Sequence, residues 1–214
     1  MELKGKRITF LGDSITEGWG TSRVEARYDN VLARRAELGS TFADGIGGTR
    51  IAYQRAPSAD PRQDLYFCGR AAALDLSGDV IVVFGGTNDF GHGNAPFGED
   101  GDRSPDTFCG AVDFLMRFLP GRYPAAKIVF MTPMRRQYGE TPSPRTGHTL
   151  GEYAAAIVRA GERHGVAVLD LYNKLPLDPD HEDDRLAYAP DGLHPNDAGH
   201  EMIAAALHEF LLSL

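Results

Sequence analysis

The chain is organised around Arg7-Ile8-Thr9-Phe10-Leu11-Gly12-Asp13-Ser14-Ile15-Thr16-Glu17-Gly18. An apolar, β-prone run stops abruptly at Gly-Asp-Ser and passes into a Gly/Thr-rich loop. That pattern suits a buried parallel strand over residues 7 to 12, whose carboxyl end lifts one hydroxyl into the open. Open α/β sheets bind their ligands at that edge. Ser14 is therefore the first candidate nucleophile. A serine hydroxyl is a weak nucleophile until a base takes its proton, and Asp191-Gly192-Leu193-His194-Pro195 offers one. The glycine-rich turns Gly47-Gly48 and Gly85-Gly86-Thr87-Asn88-Asp89 offer donors for an oxyanion.

Outward from this stretch, strand and helix patterns alternate about five times, without internal repeats or a linker. A helix is expected over Tyr28 to Leu38, stopped by Gly39, and a short strand over Thr41 to Ala43. After a polar loop at 54–64, Tyr66 to Leu76 reads as a short helix. Asp79 to Phe84 is a continuous apolar run, as in a strand covered on both faces. Phe90 to Pro105 reads as a long surface loop, placed to rim a pocket. A helix over Asp106 to Leu119, a strand over Lys127 to Met131 and a second irregular loop at 133–147 come next. Glu152 to His164 is helical, ended by Gly165, and Val166 to Leu171 is the last strand. Ala198, Met202, Ile203, Leu207, Phe210, Leu211 and Leu214 share one face of a C-terminal helix capped by Asn196. This order predicts a three-layer αβα sandwich around a parallel sheet of about five strands, in a single domain spanning residues 1–214.

Composition narrows the function classes. The hydrophobic share is 42% and the charged share 24%, ordinary for a globular protein. Net charge is 22 − 30 = −8, and Arg34-Arg35 and Arg135-Arg136 are short and isolated, so no basic stripe invites nucleic acid. Cys68 and Cys109 are too few for a disulfide framework and read as free thiols. No apolar run approaches a membrane span. The charged N-terminus lacks the apolar centre of a signal peptide, which places the expectation in the cytoplasm.

The chain resembles the GDSL, or SGNH, family of serine esterases and lipases. The resemblance rests on strand-then-Gly-Asp-Ser near the start, Gly-Gly-Thr-Asn-Asp in mid-chain and Asp-x-x-His before the last helix, in that order over residues 8 to 197. It implies a flavodoxin-like strand order, and no Gly-x-Ser-x-Gly elbow surrounds Ser14 to suggest the α/β-hydrolase order instead. It implies Ser14 as nucleophile, His194 as general base then acid, and Asp191 as the orienting acid. It implies the backbone amides of Ser14 and Gly48 and the side-chain amide of Asn88 as the oxyanion hole, the choice between Gly47 and Gly48 being open.

Each of these residues has a plainer role when read alone: Ser14 a helix N-cap, His194 a surface histidine, Gly48 a turn glycine, Asn88 a strand-end cap. Asp191, three residues before His194 in a Gly/Pro-punctuated loop, shifts the balance, since that spacing lets a carboxylate fold back onto the imidazole. Asp13 and Asp89 read as supports that hold loops. Trp19, Arg50, Phe90 and Tyr138 are the candidate pocket residues. His92 reads as solvated, Asp178 to Asp184 around His181 as a solvated acidic loop, and His200 and His208 as exposed on the last helix, at a spacing unlike a helical metal pair. No metal or cofactor is expected.

The function these residues favour is a serine esterase acting on a small-molecule ester, with short acyl groups such as acetyl esters of carbohydrates or small alcohols in front. Lysophospholipid or thioester hydrolysis by the same family, and a catalytically silent glycan-binding module on this fold, are the alternatives. A homo-oligomer is compatible with the sequence.

Overall fold

Alternation along the strands decides what the sheet faces. Ile8, Phe10, Val80, Val82, Phe84, Val129 and Met131 belong to one buried apolar cluster, and Leu11, Ile81, Val83, Ile128 and Phe130 to another. Successive side chains of a strand point to opposite faces, so a run with no polar position is stable only between two covering layers. The computed structural model describes residues 1–214 and shows that arrangement.

In chain order the regular elements are β1 (Arg7–Gly12), α1 (Ser14–Glu17), α2 (Tyr28–Arg35), β2 (Ser40–Gly45), α3 (Phe67–Ala73), β3 (Val80–Phe84) and α4 (Thr87–His92). After them come α5 (Phe108–Arg122), β4 (Lys127–Met131), α6 (Leu150–His164), β5 (Ala167–Leu169), α7 (Leu171–Lys174), α8 (Glu182–Tyr188) and α9 (Asp197–Ser213). The five strands form one parallel sheet in the order β2-β1-β3-β4-β5. On one face α2 and α9 contribute Val31, Leu32, Ile203 and Leu207 to the core; on the other α5 and α6 contribute Val112, Leu115, Tyr153 and Ile157. None of the helices is long and apolar enough to cross a membrane. Cys68 and Cys109 are free and buried.

Strand register aligns the candidate residues. Gly12 pairs with Gly45 of β2 and with Phe84 of β3, so these three strands end level. The turns that leave them carry Ser14, Gly48 and Asn88. The strand order also reverses direction at β1/β3, the point where doubly wound sheets open a crevice.

Four local expectations are corrected. Helix α2 stops at Arg35 rather than Leu38, because Glu37 takes a left-handed conformation (φ 49°) before Gly39 is reached. Residues 90–92, expected to open the long loop, instead complete the helix α4; its flanking glycines masked the helical pattern. The acidic stretch after His181 is the helix α8, whose first turn gathers Glu182, Asp183 and Asp184, where carboxylates favour the positive helix end. His200 is fully buried, not exposed: its ring stacks on Tyr28, whose backbone N–H donates to Nδ1 at 3.2 Å. His200 Nε2 has no partner, and burial lowers the imidazole pKa to about 4.

Candidate active site

Ser14 owes its freedom to its neighbour. The N-cap of α1 is Asp13, whose carboxylate accepts from Ile15 N–H at 3.0 Å. The serine is therefore not needed as a cap, although its type suits one. Its hydroxyl meets His194 Nε2 at 3.0 Å. On the other side of the ring, Nδ1 lies 2.7 Å from Asp191 Oδ2. A carboxylate only accepts, so Nδ1 carries the proton and Nε2 is left to accept from Ser14.

Asp191 is itself fixed by backbone. Its Oδ1 accepts from the amides of Leu193 at 2.9 Å and His194 at 2.7 Å. Burial alone would raise its pKa; the hydrogen bonds from the His194 ring and these two amides outweigh that and hold it below the usual carboxylate range. The ionised carboxylate is thereby favoured beside the imidazole.

Residues 14 and 194 are distant in sequence, and specific contacts bring them together. The backbone at Gly20 packs directly on the His194 loop: a Cβ there would fall 2.3 Å from the Pro195 carbonyl, and its φ is +89°. Ser22 donates from N and Oγ to the Asp197 carboxylate at 2.8 and 2.5 Å, just past that loop. The Trp19 ring sits 5.3 Å from the imidazole. From the other side, Gln137 N–H donates to the Gly192 carbonyl at 2.7 Å.

The glycine turn after β2 presents its two amides differently. Gly47 N–H donates to Glu17 Oε2 at 2.6 Å, whereas Gly48 N–H has no acceptor within the chain. Asn88, at the start of α4, donates from Nδ2 to the Thr49 carbonyl at 3.0 Å and is therefore tied to the same turn. Its Oδ1 meets His92 Nε2 at 3.3 Å. His92 is exposed on its outer side, as expected, but it contacts Asn88 rather than solvent alone.

The supporting carboxylates lie deep. Asp89 accepts from Ile51 N–H and Ala52 N–H at 2.9 and 3.0 Å, pinning the chain after the Gly48 turn. Burial pushes Asp13 up to about 7 and Asp89 up to about 6. Both are thus nearer to neutral than surface carboxylates.

Residues 10–202 match the model of the GDSL-like lipase/acylhydrolase family. The chain belongs to this family. A GDSL esterase/lipase of Arabidopsis thaliana is 26% identical to it over 225 residues, taking in 92% of this chain and 82% of that protein. A solved structure of a Lactobacillus plantarum protein is 30% identical and superposes with a TM-score of 0.83 over 99% of this chain and 98% of that one. The aryl esterase of M. smegmatis, at 20% identity and a TM-score of 0.68 over 98% and 99% of the two chains, shares the fold. Family membership makes the protein a GDSL-type serine ester hydrolase, and the five-stranded parallel sheet is the family's α/β architecture.

Within this GDSL hydrolase the four candidate pocket residues separate. Phe90 and Tyr138 line one cleft of about 210 Å³ beside α4. Trp19, 55% exposed, lies against the His194 ring. Arg50 is a correction: at 1% exposed it is interior, donating to the Gly48 carbonyl, Ser58 Oγ and Asp64 Oδ1 at 3.1, 2.8 and 3.0 Å. Its cation holds the glycine turn from behind instead of facing a ligand. Two further supports were not singled out from sequence. Glu17 anchors Gly47 and the Trp19 indole at 2.6 and 3.1 Å. Arg70 donates to the Gly12 carbonyl, Asp44 Oδ2 and Thr49 Oγ1 at 2.7, 2.7 and 3.0 Å, joining the ends of β1 and β2 to the turn. An arginine within an apolar helix pattern was the available signal for the latter.

Proposed function

We propose that the protein hydrolyses carboxylic esters through an acyl-enzyme on Ser14, with His194 moving the proton and Asp191 orienting the ring. The observation that carries this reading is the unbroken relay from Asp191 Oδ2 through both imidazole nitrogens to Ser14 Oγ, at 2.7 and 3.0 Å. Ser14 Oγ attacks the ester carbonyl carbon as its proton passes to Nε2. The carbonyl oxygen becomes an oxyanion, received by the amides of Ser14 and Gly48 and by Asn88 Nδ2. Gly48 is preferred over Gly47 because the latter's N–H is already engaged by Glu17. Collapse expels the alcohol, which takes the proton from His194. Water then enters, gives a proton to Nε2 and attacks the acyl-enzyme; collapse releases the acid as Ser14 Oγ takes the proton back from Nε2.

Residues 1–214 act together as one catalytic domain in this reading, since the relay joins Ser14 to His194 across the whole chain. A short acyl group is favoured, because the cleft that Phe90 and Tyr138 line beside α4 is small, at about 210 Å³. The test is hydrolysis of p-nitrophenyl esters of increasing acyl length, for the wild type and Ser14→Ala, with a chelator present. Turnover that peaks at short acyl length, resists the chelator and drops by at least ~10³-fold in Ser14→Ala is expected. Activity surviving in that variant would overturn the mechanism.

A further inference from the structure

Arg136 is an arginine whose hydrogen-bonding capacity the protein leaves unused. Its Nε is buried without a partner. Nη1 makes only two long contacts, 3.4 Å to the Thr87 carbonyl and 3.4 Å to Thr87 Oγ1. Arg135, next to it, is paired with Asp178 at 3.5 Å, whereas no carboxylate reaches Arg136. Asp191 and Asp13 are the carboxylates whose fields bear on it. Asp191 is already committed to the His194 ring and two amides, and Asp13 to Ile15 N–H. Nη2 has no partner in the chain and Nη1 only those two long ones, so an under-used guanidinium at a cleft points to an acceptor supplied from outside.

The position is as informative as the missing partner. The guanidinium lies in the wall of the cleft shared with Phe90, Gly91, Gln137 and Tyr138. It sits 5.7 Å over the Phe90 ring, and a Cβ on residue 91 would come within 2.8 Å of Nη1. Glycine at 91 therefore leaves the space the guanidinium occupies. Thr87 immediately precedes Asn88, and Gln137 holds the Gly192 carbonyl beside His194. Arg136 thus flanks both halves of the site. Arg145, which follows the cleft residues Ser143 and Pro144 in the chain, is also without an ion-pair partner, although the whole chain carries −8.

We propose that this cleft recognises an anionic group, a carboxylate or phosphate carried by the ester substrate itself, which Arg136 binds while the ester carbonyl lies at Ser14. A planar guanidinium suits both oxyanions through paired N–H donors. The proposal rests on the esterase reading and narrows its substrate class.

Paired substrates test it. On the acyl side, mono-p-nitrophenyl adipate is compared with p-nitrophenyl hexanoate; on the alcohol side, 3-carboxy-4-nitrophenyl acetate with p-nitrophenyl acetate. The anionic member of at least one pair should show the higher kcat/KM. The ratio should fall about 10–100-fold in Arg136→Gln, with partial recovery in Arg136→Lys. A wild-type ratio at or below one in both pairs, or a ratio that Arg136→Gln leaves unchanged, overturns the proposal. Binding of monomethyl adipate against methyl hexanoate to Ser14→Ala protein reads the same preference without turnover, and without needing a folded Arg136 variant. Failure of the wild type to cleave any ester would count against the esterase reading, while this binding pair still decides the cleft.

Discussion

Replacing Asp191 by asparagine should cripple the site without unfolding it, and the structure indicates how. Two backbone amides, of Leu193 and His194, point at Oδ1 of the native carboxylate. In Asp191→Asn these donors select the amide oxygen, leaving the NH₂ group to face His194 Nδ1. Nδ1 must then accept, which puts the ring proton on Nε2, opposite the Ser14 hydroxyl that the proposed mechanism deprotonates. Recovering the productive tautomer means turning the amide over and setting NH₂ against both backbone donors. Two lost hydrogen bonds at about 1–3 kcal/mol each amount to roughly 2–6 kcal/mol. The Asp191 side chain is 56% exposed, which lets water relieve part of this. A fall in kcat of about 10²–10⁴-fold is expected. Asp191→Ala imposes no wrong tautomer, so it should retain more turnover than the asparagine variant although it removes more of the side chain. The assay is kcat on p-nitrophenyl acetate for both variants, with thermal melts to show that they fold. Asp191→Asn equal to or better than Asp191→Ala, or within threefold of the wild type, would refute the tautomer argument.

Two other perturbations have outcomes set by the same structure. Asn88→Ala removes a donor that the Thr49 carbonyl holds in place, and should lower kcat about 10²–10³-fold with little change in KM; a change confined to KM would make Asn88 a substrate-binding residue instead. His200→Phe should cost about 1–3 kcal/mol near pH 7.5, measured by chemical denaturation, because Tyr28 N–H loses its acceptor. The wild type's advantage should shrink towards about pH 4.5: His200 has a folded pKa of about 4 against 6.5 unfolded, so the unfolded chain takes up a proton that the native state refuses. That contribution is complete above 6.5 and is lost as the pH falls through the window; an equal stability difference at both pH values would contradict it.

The parts of the candidate site legible in the sequence are those carried by short, contiguous signals. Gly-Asp-Ser after an apolar strand, Gly-Gly-Thr-Asn-Asp after another and Asp-x-x-His before a helix each state a local geometry. The i,i+3 spacing of Asp191 and His194 already allows their contact, because three residues through a glycine turn can fold back on themselves. Strand existence was likewise legible, since an all-apolar run is stable only in a sheet buried on both faces.

What the sequence determined by itself was therefore the class of fold, the order of its elements and the chemistry available at each turn. Tertiary structure alone decided which of those groups are free to act. Asp13 takes the cap and releases Ser14; Glu17 takes Gly47 N–H and leaves that of Gly48; Asp64 and Ser58 take Arg50 while Arg136 keeps only long contacts at the cleft. His200, expected on the exposed face of the last helix, is sealed against Tyr28, whereas His194 bridges Asp191 and Ser14. The physical reason is that a polar group's role is set by the partners left over once all others are satisfied, and that accounting runs between residues far apart in the chain.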